Sequence, residues 1–244
     1  MIRTEDVEER RRLLLVQALA VTGLLLAGWP RGRAWAQAFS AKPVKLPEGQ
    51  SIYRLSGDVR VNGAAANLKT RIGAADTVET ARDAEVIFVI GENAFLQRGA
   101  SRVSFQPEPR QSLLISGFRL VTGALLSVFP QGRPLRLSTP TATIGIRGTG
   151  AYAEAEPQQT YFCTCYGVTD ITAAADPTST ATVAATHHDR PVYILGDAQR
   201  GQSIRTAPFI NHTDQELMLI ETLVGRTVPF VFPKDDYRAP RRQY

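Results

Sequence analysis

Both cysteines and all three histidines of the chain fall within one stretch: Cys163, Cys165, His187, His188 and His212. The run 160–166 alternates like a β-strand, which places Cys163 and Cys165 on the same face. Two thiolates joined by imidazoles from elsewhere form a tetrahedral S2N2 set, suited to zinc or a copper ion. The spacing is not that of a zinc finger, so residue type carries this reading more than interval does. In a strand His187 and His188 would face opposite ways, so one of the two is expected to ligate. His212 directly precedes Thr213-Asp-Gln-Glu216, a capping box, and Leu217, Ile220 and Val224 follow at helical spacing. Gly225 supplies a stop, with Arg226 and Pro229 beyond it. A short C-terminal helix is expected there, with Met218 in its packed face. The helix dipole favours a neutral, metal-ligating imidazole at His212. Other uses of the cluster stay open. A Cys163–Cys165 disulfide would close a small strained ring, which an extended strand disfavours. The pair could serve as redox thiols, or as two buried small hydrophobes beside turn histidines.

Short β runs must position these groups. From Ser51 onward, β-rich segments are separated by glycine and asparagine turns with no helical pattern between them. Val59 and Val61 alternate with polar neighbours ahead of Asn62-Gly63, a strong hairpin signal. In 84–90, Val86, Phe88 and Ile90 share one face and Ile87 and Val89 the other, as in a strand covered on both sides. Gly91-Glu92-Asn93 turns the chain into further strands at 94–98 and 102–106. Beyond Pro107 and Pro109, 118–121 and 124–129 read as two strands joined by Thr122-Gly123, and 135–137 as another. The expected fold class is all-β: an antiparallel sandwich or solenoid-like roll of many short strands, with an N-terminal signal helix and one short C-terminal helix.

The ends differ from the body. Residues 1–36 read as an export signal: Arg10, Arg11 and Arg12 precede a mostly apolar run, and Ala34-Trp35-Ala36 offers a small-x-small cleavage pattern. The arginines before the run and Arg31 and Arg33 after it resemble a twin-arginine signal, although Glu9 occupies the usual serine or threonine position. That route carries folded chains, which suits a protein loaded with metal before export. Export to the periplasm is expected, or retention in the inner membrane by an uncleaved helix, the membrane being met only through this segment. Of the formal charge of +5, residues 1–36 hold +2 and the last seven residues +3. The middle is nearly neutral, with no basic stripe for nucleic acid.

The segments Gly57-Asp-Val-Arg-Val61, Ile72-Gly73, Thr77-Val-Glu-Thr80, Val86 to Val89 and Leu120-Val-Thr-Gly123 lead to Thr139-Pro-Thr-Ala-Thr-Ile-Gly-Ile-Arg-Gly-Thr149. Over residues 55–172 this succession resembles the FecR-like domains, named after the iron-dicitrate regulator. The resemblance implies a periplasmic sensing or interaction module. Such a regulator carries a cytoplasmic anti-sigma domain ahead of its membrane helix. Only twelve residues precede the apolar run here, too few for one, so sigma-factor regulation is not expected. The segment 161–230 is similar to an extension found in some FecR-like proteins. Within the closing motif, Ile144 and Ile146 share a strand face and Gly145 is expected to permit close backbone approach. Arg147, ahead of Gly148, is expected to fold back and tie loops together.

The organisation that follows is an export signal (1–36), a linker (37–50), a FecR-like β domain (51–175), an extension with the histidines and a short helix (176–233) and a basic tail (234–244). No Gly-x-Ser-x-Gly elbow, phosphate-cradling loop or His-Glu-x-x-His helix is present, and no catalysis is expected. The expected function is that of an exported FecR-like sensing or accessory protein binding a zinc or copper ion through the Cys-x-Cys and histidine cluster. Its partner would be another protein of the envelope. A metal-free interaction module and a thiol redox protein are the alternatives.

Overall fold

A computed structural model describes residues 44–109 and 111–230, the side chains of 111–113 excepted. The signal of 1–36 and the tail of 234–244 lie outside the described residues. In chain order the elements are β1 (Ile52–Ser56), β2 (Val59–Val61), β3 (Ala64–Ala65), β4 (Thr77–Thr80), β5 (Glu85–Ile90), β6 (Asn93–Gln97), β7 (Arg102–Glu108) and β8 (Gln111–Val128). They continue with β9 (Pro134–Ser138), β10 (Ala142–Ala155), β11 (Gln159–Ala173), β12 (Thr180–Ala185), β13 (Val192–Leu195), β14 (Ile204–Thr206) and helix α1 (Asp214–Leu223). No helix among the described residues is long and apolar enough to cross a membrane.

All fourteen strands of the described residues belong to one sheet, antiparallel apart from the β8–β9 pair. Local chemistry sets its hairpins. Asn62 and Gly63 both take positive φ between β2 and β3, as a two-residue primed turn requires. Gly91, also at positive φ, opens the two-residue turn between β5 and β6.

One face of the sheet encloses the main core. Val86, Phe88, Phe95, Leu125, Ile144, Ile146, Phe162 and Ile194 all belong to it. Strands from both ends of the chain share this single cluster, so the sheet curls back on itself as a roll. Phe95 stacks on Phe88 at 5.2 Å and meets Phe105 edge-on at 5.0 Å, with Phe118 and Phe129 each 5.9 Å away. The opposite face of the central strands is also apolar. Ile87, Leu96, Leu126, Tyr152, Cys163 and Cys165 pack there against Leu217, Ile220 and Leu223 of α1. The two-sided pattern expected of β5 is therefore real: Ile87 meets the helix side while Val86, Phe88 and Ile90 meet the roll's interior.

The many-stranded all-β class is as expected, with three strands longer than the short runs read from sequence. β8, β10 and β11 run for 18, 14 and 15 residues. Each bends at a glycine of positive φ, Gly123, Gly148 or Gly167, and changes partner there. Thr122-Gly123 is thus a bend within one strand rather than a turn between two. β10 pairs with β9 up to Arg147 and with β8 from Gly150. β11 pairs with β13 as far as Phe162 and with β12 from Gly167. At the β11 bend a Cβ on Gly167 would lie 2.7 Å from the Gly148 carbonyl oxygen and from Thr149 Cβ. Gly167→Ala is expected to cost more than about 1 kcal/mol, since left-handed backbone and overlap add; a thermal melt unchanged from wild type would contradict this.

Two expectations around the closing motif need correction. Gly145 makes only ordinary contacts, 3.8 Å from Asp170, and the close approaches belong to Gly148 and Gly150. Arg147 does not gather loops: it is exposed and pairs across the sheet with Asp170 at 2.7 Å. A solvated pair of that kind contributes about 0–1 kcal/mol. Met218 is exposed on the outer side of α1, not in its packed face.

Candidate metal centre

The partner change in β11 creates the site. β13 ends its pairing at Phe162 and β12 begins at Gly167, so Cys163 to Tyr166 have a partner strand on one side only, β10. The β12–β13 loop fills the gap: the His188 backbone N–H donates to the Cys165 carbonyl at 2.9 Å. His188 holds a left-handed φ of 54 in doing so. Cys163 and Cys165 project from the same face, as expected, and both are free and buried.

His212 arrives from the segment ahead of α1. Tyr161 anchors that segment, donating its hydroxyl to the Pro208 carbonyl at 2.9 Å and accepting the Ile210 N–H at 3.3 Å. Asn211, at positive φ, donates to Glu154, which also accepts the Tyr152 hydroxyl. Tyr152 stacks on the His212 ring with centroids 4.3 Å apart. The helix then starts through the expected capping box of Thr213 and Glu216. Arg98 grips both Glu216 oxygens at 2.8 and 2.9 Å and ties them to Glu85.

One ligand atom from each of Cys163, Cys165, His188 and His212 lies within 4.8 Å of all the others. Cys163 Sγ is 3.4 Å from His188 Nδ1, Cys165 Sγ is 3.4 Å from His212 Nε2, and the two nitrogens are 3.2 Å apart. A tetrahedral zinc with usual bond lengths implies edges of about 3.5 Å for sulfur to nitrogen and about 3.3 Å for nitrogen to nitrogen. The donor set could therefore hold an ion with little movement. A two-iron cluster would spread its ligand pairs farther apart than 4.8 Å, so the spacing favours a single ion.

The outer hydrogen bonds select the ligating nitrogens. His212 Nδ1 lies 2.7 Å from the Ile210 carbonyl, which can only accept, so that nitrogen carries the hydrogen and Nε2 turns a lone pair inward. His188 Nε2 likewise donates to Asp214 Oδ1 at 2.9 Å and leaves Nδ1 facing the cluster. His187 is not brought into the four-residue set. Its Nε2 bonds the other oxygen of Asp214 at 2.8 Å, so that His187, His188 and Asp214 form a second group. Sequence spacing alone cannot separate the roles of two adjacent histidines.

Burial opposes ionisation of Cys163, but hydrogen bonds with Cys165, His188 and His212 outweigh it and hold this thiol well below its ordinary range. Burial, reinforced by the neighbouring Cys163, pushes Cys165 well up. Burial works to neutralise His188 as well, yet bonds to Asp214 and Cys163 raise its pKa. Asp214, buried at the first position of α1, is held below the usual carboxylate range: its two histidine partners override the burial cost. Sequence reasoning missed Asp214, whose first-turn position reads as simple dipole compensation. If an ion occupies the cluster, Asp214→Asn is expected to weaken its binding about 10–100-fold while the roll stays folded, as measured by competition with a chromophoric chelator.

No known protein family matches the chain, and no curated protein does. Among solved structures, two crystal structures of a provisionally assigned anti-sigma factor from Parabacteroides distasonis ATCC 8503 are similar in part. Each is 9% identical, with TM-scores of 0.43 and 0.44 over 54% and 58% of this chain. The chain spans 58% of the length of the first and 70% of the second. Fold and site together define an all-β roll with a buried Cys2His2 cluster at the seam between its sheet and its one described helix. The chemistry of that cluster has to be read from this chain's own residues.

Proposed function

We propose that the chain is an exported sensing or accessory protein that binds one zinc ion through Cys163, Cys165, His188 and His212. The observation that carries the metal reading is the match between three ligand edges and a tetrahedral S2N2 site, with both imidazole lone pairs turned inward. The charge supports it. Two thiolates neutralise a divalent cation, so the filled site is uncharged and suited to an apolar surround. A closed four-ligand shell leaves no position for substrate, which favours a structural or sensing role over a Lewis-acid one. The ion would join β11, the β12–β13 loop and the segment before α1, making the helix's seat on the sheet depend on metal.

The sensing role and the envelope partner rest on the FecR-like resemblance of residues 55–172, and export rests on the signal read in 1–36. A metal-free interaction module is the second reading. It is favoured by the one-to-one pairing of each cysteine with an imidazole, which lets hydrogen bonds satisfy the cluster unaided. Elemental analysis and thiol counting on protein purified from the periplasm without affinity metals decide between them. One zinc per chain with two protected thiols is the expected result. No metal with two reactive thiols would overturn it in favour of the module.

A further inference from the structure

Cys163, Cys165, His212 and Asp214 are completely buried, and His188 retains 7% exposure, so an ion cannot reach the cluster directly from solvent. Burial falls away in one direction. Beyond His188 lies Asp214, and beyond Asp214 lies His187, whose side chain is 27% exposed. The other approaches are roofed by rings: Tyr152 lies on His212 and Phe209 stacks on His188 at 4.0 Å. His187 borders Phe230, with centroids 4.3 Å apart. Phe230 in turn lines a cleft of about 540 Å³ together with Tyr166, Thr186 and Pro229.

We propose that His187 and Asp214 form an outer cation site through which the ion passes to reach the four-ligand cluster. This rests on the zinc reading above. The hydrated ion exchanges water for His187 Nε2 and Asp214 Oδ2, the pair now 2.8 Å apart, and the hydrogen that Nε2 shares with Asp214 is given up to solvent while the ring takes one at Nδ1. It then moves past the His188 ring, whose two nitrogens face the two sites. As the two metal–sulfur bonds form, the outer bonds to nitrogen and oxygen break. The protons displaced from the ligand set leave to solvent, and no electron is transferred. Asp214 serves twice, as outer ligand in transit and as the hydrogen-bond acceptor that orients His188 afterwards.

The test is stopped-flow loading of the full apoprotein with cobalt(II), read by the thiolate-to-cobalt absorption band. That band grows only when Cys163 and Cys165 bind. His187→Ala is expected to slow loading at least about 10-fold, a loss typical of removing an outer partner. Release to a chelator should slow by the same factor, and final occupancy should stay at one ion per chain. His187→Gln keeps a hydrogen bond to Asp214 but is a poor ligand, so it too should load slowly. Wild-type rates in His187→Ala would overturn the proposal. Full recovery in His187→Gln would also overturn it, by reducing His187 to a positioning residue. A wild-type protein that never develops the band would fail the zinc reading itself, a distinct outcome.

Discussion

Cys163→Ser is expected to release the ion and lower the melting temperature by about 8–16 °C, if free zinc in the assay stands near a thousandfold above the dissociation constant. At that ratio the ligand contributes about 4.1 kcal/mol to folding. For a domain of this size each kcal/mol moves the midpoint by about 2–4 °C. Serine keeps the branching of the side chain and gives up only a little volume, but it lacks the soft anionic donor, so the main loss is of coordination. Three ligands from three segments would then be held by hydrogen bonds alone. The control is internal: a chelator should lower the wild-type melt toward that of the variant and leave the variant unmoved. Calorimetry with metal analysis measures both. Retention of one zinc by Cys163→Ser would sink the assignment.

Phe95→Ala should cost as much stability and leave the metal in place. Phe95 is fully buried and touches four other phenylalanines, and truncating such a residue costs about 3–5 kcal/mol. The midpoint should fall by about 6–20 °C. Phe95 faces the roll's interior, whereas the cysteines face the helix side, so the two losses have separate causes. Zinc content should remain at one per chain in the folded variant. A loss of zinc from folded Phe95→Ala would mean that the two faces of the sheet are coupled through the strands, contrary to the packing described above.

Much of the architecture was legible because it is local. The Asn62-Gly63 turn, the two-sided strand at 85–90 and the capping box at Thr213 each follow from a few neighbouring residues. They need no knowledge of the rest of the chain. Strand length was not legible. A glycine at positive φ between two apolar runs is the same signal for a turn and for a bend, and at Gly123 only the pairing with β6 and β10 decides for the bend. Met218 misleads for a related reason: helical spacing finds the buried stripe of Leu217 and Ile220 but does not fix where that stripe ends.

The site divides in the same way. By itself the sequence determined which donors exist, that Cys163 and Cys165 share a face, and that His212 stands at a helix start. Each is a matter of residue type and backbone period over a few positions. Only the tertiary structure decided that His188 and not His187 joins the thiols, that Asp214 bridges the two histidines, and that the four donor atoms lie within 4.8 Å of one another. Those facts depend on β11 changing partners at Gly167 and leaving a gap for one particular loop. They also depend on the segment 207–213, held by Tyr161 and Glu154, crossing that gap from the other side. Contacts between groups 25 and 47 residues apart are set by how the roll closes, and no short-range period encodes them.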